Sequence, residues 1–146
     1  MFVFRLESVM NCRKAAEEKA LTEFSDEKRN LEKEQQQLVR IQEHKVSLIG
    51  QLRDMRKDAL KADEIALFMD YIRQVQARQT DQENVVRQAT ERVSLKREAL
   101  LAALKDRKIM EALKARKLQE YIAESDKAER KQMDETAISR YLRRDR

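Results

Sequence analysis

Proline and tryptophan are both missing from these 146 residues, and glycine and cysteine occur once each. Each gap removes an architecture. Without proline, nothing in the chain forces a helix to stop. With only Gly50 available, no glycine-rich loop can cradle a phosphate. Cys12, as the sole cysteine, excludes an intramolecular disulfide and any metal site built from several cysteines. Aromatic residues make up only 5% of the chain, too few for a multilayer core. No apolar run approaches the ~20 residues needed to span a bilayer. Arg5 and Glu7 also interrupt the apolar centre that a signal peptide would need. A cytoplasmic chain with no direct membrane insertion is expected.

What remains is charge and helix-forming residues. Asp, Glu, Lys and Arg account for 40% of the sequence, and Ala, Glu, Lys, Leu, Arg and Gln dominate it. That is the profile of long helices or coiled coil. The net charge of +5 comes from 32 basic and 27 acidic residues, as interspersed ion-pair faces would give. Residues 101–117 carry six bases against Asp106 and Glu111, so positive charge gathers in the second half.

A heptad runs through residues 3–59. Met10, Phe24, Leu31, Leu38, Leu52 and Ala59 share one core position, and Leu6, Ala20, Ile41, Leu48 and Met55 share the other. Arg13, Glu17, Glu27, Glu34 and Lys45 interrupt it, yet the register never skips. This predicts a helix over about 3–58, roughly 75 Å long. The pattern is lost at about 59–64, where Asp63 is a plausible N-cap with Glu64 behind it. It resumes with Ile65, Phe68 or Met69, Ile72, Val75, Gln79, Gln82, Val86, Ala89, Val93 and Leu100. A four-residue offset is expected at about Leu104, after which Ile109, Leu113, Leu118, Tyr121 and Ile122 carry the stripe. The second helix is placed at about 65–140 and a tail at 141–146.

Two amphipathic helices with one break can fold back, run on as a dimerising rod, or open to bind partners. Closing a short loop within one chain costs less entropy than joining two chains. The expectation is therefore all-α: a single coiled-coil domain over 1–146, two long helices in an antiparallel hairpin, with the C-terminal end of the second projecting. A turn near Lys61 would set Leu38 opposite Val85–Val86, Phe24 opposite Ala99–Leu100, and Met10 opposite the 110–113 level. Residues from about 120 onward are left without a partner helix.

Nothing in this pattern points to catalysis, and no enzyme, cofactor or metal is expected. His44, the only histidine, is flanked by Glu43 and Lys45 and is read as a solvated helix residue. Cys12 is read as a small apolar filler beside the seam. The basic stretch 105–117 has interleaved acids and no aromatic residues for stacking, so it is read as a solvated face, with no nucleic acid expected. A coiled-coil dimer that scaffolds other proteins is the alternative function.

The opening "FVFRLESVMNCRKAAEEKA" resembles the N-terminal signature of the FliJ family of flagellar type III export proteins, through Phe2, Phe4, Leu6, Glu7, Val9, Met10 and Arg13. Two further places are similar: "FMDYIRQV" at the start of the second helix, with Asp70, Tyr71 and Arg73, and "ERKQMDETAISR", with Glu129, Lys131, Asp134, Glu135 and Arg140. The resemblance implies a stalk like that of rotary ATPases. Its partners would be the hexameric flagellar export ATPase, the export-gate membrane protein and export chaperones, at the inner-membrane base of the flagellum. In the family's orientation residues 1–25 and 110–140 would enter the ATPase ring, and the tip near 55–70 would face the gate or chaperones. Phe2 and Phe4 would extend the seam where the second helix otherwise lacks cover.

Overall fold

The structure, a computed structural model, describes residues 1–57 and 62–145. Two α-helices make up nearly all of it: α1, Glu7–Lys57, and α2, Ala62–Arg144. They pack antiparallel as a coiled-coil hairpin, because each heptad face presents a greasy edge that only the other helix covers. Residues 59–61 of the expected turn lie outside the described residues, and 62–64 already belong to α2. Asp63 therefore sits inside the first turn with Glu64, where both charges still oppose the helix dipole. At the other end α2 takes in 141–144, since Leu142, Arg143 and Arg144 are good helix formers and the arginines suit a C-terminus.

The hairpin divides into two compact units. One comprises Met1–Glu18 and Ala102–Arg146, the other Lys19–Leu101. In the second unit Leu48, Val75 and Ala89 are buried, and Phe24, Leu31, Leu38, Ile41, Leu52 and Met55 are half-buried along α1. Every α2 residue expected on the stripe from Ile65 to Leu100 is covered to the same degree or more. Lys45 meets Gln76 at the expected level, but around Glu23–Glu34 the pairing differs from expectation by about one helical turn. Glu23 meets Lys96, Glu27 meets Arg92 and Glu34 meets Gln82, so the middle of α1 faces earlier residues of α2 than Ala99–Leu100 and Val85–Val86. Polar partners set this level, and an apolar pattern alone carries no information about them.

In the first unit Phe4 and Met10 are buried. The expected offset at Leu104 does not occur. Ala103, Leu104, Arg107, Met110, Leu113 and Lys114 continue the same stripe, while Ile109 points outward at 55% exposure. Arg107 occupies the core position instead, its guanidinium against Glu17 of α1. Residues 126–145 are exposed throughout.

Gly50 lies inside α1 with helical backbone, and a Cβ built on it would meet nothing within 4 Å. Gly50→Ala is expected to stabilise the chain by about 1 kcal/mol. That corresponds to a rise of roughly 3 °C in melting temperature, measurable by circular dichroism.

Candidate functional site

The opening signature gathers in the first unit. α1 does not extend to residue 3; it begins at Glu7, whose N–H donates to the Phe4 carbonyl at 3.1 Å. Leaving the helix there lets the first residues lie against α2 rather than continue along α1. Phe4 is 8% exposed, and the Phe2 ring sits 5.6 Å from that of Tyr121, tilted by 52°. The Leu6 carbonyl accepts from Met10 N–H at 2.9 Å, although the Leu6 side chain is exposed. Glu7 pairs with Lys114 at 3.0 Å and Arg13 with Asp106 at 3.5 Å. Residues 1–6 and Leu113, Lys117, Glu120, Tyr121 and Glu124 together line a groove of about 710 Å³.

The charges around this groove are locally satisfied. Lys117 bonds Glu120 at 3.0 Å and, with Arg116 adding less, holds that carboxyl below the usual carboxylate range. Because the folded value is depressed, the stabilisation is present above the ordinary carboxylate pKa and lost as pH falls through the lower one. Lys117→Met is expected to bring the Glu120 titration back toward the ordinary value, followed by carbon chemical shifts against pH. Arg107 is raised above its usual pKa by Glu111 and then Glu17.

The second place of resemblance lies in the second unit. Asp70 and Arg73 form an exposed pair one turn apart at 3.1 Å. The Tyr71 hydroxyl lies 3.2 Å from His44 Nε2, with the two rings edge to face at 6.0 Å. Met55, Leu67, Phe68 and Tyr71 line a groove of about 560 Å³ in which Leu67 is 74% exposed. The third set lies on the bare continuation of α2. Glu129, Lys131, Asp134, Glu135 and Arg140 are all exposed, and Lys131 reaches Glu135 at 4.0 Å.

Sequence reasoning missed the partners across the hairpin. All five heptad interruptions meet a polar side chain within hydrogen-bonding reach: Arg13 with Asp106, Glu17 with Arg107, Glu27 with Arg92, Glu34 with Gln82, and Lys45 with Gln76. Arg13 with Asp106, at 3.5 Å, is the loosest. Interrupted positions on one helix, matched to polar stripe positions on the other, would have been the signal. Among the described residues no three His, Cys, Asp or Glu lie close enough to hold a metal, and no helix is long and apolar enough to cross a membrane.

The described residues thus define an all-helical, paired-helix protein with exposed grooves and charged faces. The whole chain, residues 1–146, matches the family described as Flagellar FliJ protein. It therefore belongs to the FliJ family of flagellar, type III secretion components. Among solved structures, it is similar to a chain described as the YscO homologue CT670 from Chlamydia trachomatis. That chain is 26% identical with a TM-score of 0.51, and the match covers 94% of this chain and 93% of the other. No curated protein matches the sequence.

Proposed function

We propose that this chain is the central stalk of a hexameric flagellar export ATPase, coupling the ring to the export-gate membrane protein and to export chaperones. The observation that carries this reading is the composition of the first unit. Met1–Glu18 and Ala102–Arg146 form one compact body, so the opening signature and the "ERKQMDET" stretch belong to the same unit. Those are the residues the family resemblance orients into the ring. Phe2, Phe4, Leu6, Glu7, Met10 and Arg13 shape that body. Glu129, Lys131, Asp134, Glu135 and Arg140 supply exposed charges that suit many weak contacts with a ring's inner wall. Asp70, Tyr71 and Arg73 are assigned to the gate or to chaperones. The site of action is the cytoplasmic side of the inner membrane, by peripheral association.

The test is capture of the purified ATPase by this chain, with mass measurement of the complex. One copy per hexamer is expected, from a free chain that sediments as a 17.4 kDa monomer. No capture at low salt as well as high overturns the stalk assignment, and a free dimer turns the reading toward a two-chain scaffold.

A further inference from the structure

The middle of the second unit holds a polar layer that the stalk reading does not use. Gln76, Gln79 and Gln82 recur every third residue along α2. Gln82 Nε2 donates to Glu34 Oε2 at 2.6 Å and to the Glu34 carbonyl at 3.0 Å, and Lys45 Nζ donates to Gln76 Oε1. Gln79 Nε2 donates to Glu83 at 2.9 Å, but its own Oε1 is buried and accepts no hydrogen bond from the described residues. A leucine there would bury more apolar surface and strand no acceptor. Stability therefore does not account for this amide.

Register does. The apolar seam of α1 follows a seven-residue repeat at Phe24, Leu31, Leu38 and Leu52, broken only by Lys45, and again at Ile41, Leu48 and Met55. Sliding α2 by one heptad maps this greasy edge onto itself, so apolar contacts discriminate weakly between registers. The polar layer discriminates strongly. A slip in one direction sets Glu34 against Ala89 and Glu27 against Ala99. A slip in the other sets Glu34 against Val75, Lys45 against Met69 and Glu27 against Val85. Ala89 and Val75 are buried and offer no side-chain donor, so each slip strands a charge.

We propose that the polar layer in which Glu34 meets Gln82 and Lys45 meets Gln76 is a register lock, which trades stability for a single intramolecular alignment of the hairpin and against slipped or two-chain pairings. It works as a lone polar residue in a coiled-coil core does, by making every other alignment bury an unmatched group.

Cysteine cross-linking of the full chain in a Cys12→Ser background tests it. Glu27→Cys with Arg92→Cys reports the native register, and Glu27→Cys with Ala99→Cys or with Val85→Cys reports the two slips. With the layer intact, only the first pair is expected to cross-link. With Glu34→Leu, Lys45→Leu, Gln79→Leu and Gln82→Leu added, the melting temperature is expected to rise. Slipped cross-links should then appear in at least about a tenth of chains, or light scattering should find two-chain species. The lock is overturned if the leucine variant melts lower, or cross-links only at the native pair as a monomer. It is equally overturned if the intact layer already permits slipped cross-links. None of these readouts involves the ATPase, so a failed stalk assignment and a failed lock are separate results.

Discussion

Val75→Asp is expected to unfold the central part of the hairpin, at a cost of about 4 kcal/mol or more. Val75 is 1% exposed and has the largest side chain among the fully buried residues. An aspartate there would lose its hydration in the middle of the apolar seam. The adjacent pocket is lined by Arg78, one turn along the same helix, and by Gln37, Arg40, Ile41 and His44 of α1. Denaturant unfolding at neutral pH measures the loss. Leu67→Asp is the control, because that side chain is 74% exposed and the same charge there should change stability by less than about 0.5 kcal/mol. Equal effects at the two positions would show that the seam of α2 does not run through Val75.

The second large effect is local. Phe4→Ala removes a side chain that is 8% exposed, and a buried phenylalanine truncated to alanine costs about 3 kcal/mol or more. Little else holds this end. Of its backbone hydrogen bonds, two mark its junction with α1: Glu7 N–H to Phe4 and Met10 N–H to Leu6. Met1 and Val3 already face solvent, and the Phe2–Tyr121 ring contact depends on Phe4 keeping the segment down. Residues 1–6 are thus expected to detach while the second unit, which holds none of them, stays folded. Hydrogen exchange separates the outcomes. Amides of residues 5–10 should lose protection by roughly two orders of magnitude, and those around Leu48 and Val75 should not change. Uniform loss along the chain would mean that the opening residues support the whole hairpin.

The heptad on α1 was legible because apolar side chains, spaced seven apart, fix which face must be covered. Met10, Leu31, Leu38 and Leu48 all lie where that spacing puts them. Three features were not legible, each for a physical reason. Arg107 sits in a core position because Glu17 and Glu111 compensate its charge, and a reading that looks only for apolar residues passes over it and takes up Ile109 instead. Phe2 and Phe4 alternate with Val3 and Arg5 and so share no helical face, and covering both against α2 is worth more than one further helical turn at a fraying end. The alignment of α1 on α2 depends on matching Glu23, Glu27 and Glu34 with Lys96, Arg92 and Gln82, information that lies in two distant stretches at once. The grooves beside Tyr71 and Tyr121 were half visible as quoted stretches; what shapes them is the helix opposite.

Matched polar pairs across the hairpin also constrain how such a sequence can drift. Glu27 and Arg92 lie 65 positions apart in the chain and 3.3 Å apart in space, so a change at one alters the selective value of every change at the other. Lineages descending from this sequence should exchange these residues in couples, swapping signs together or turning greasy together, while solitary changes are weeded out.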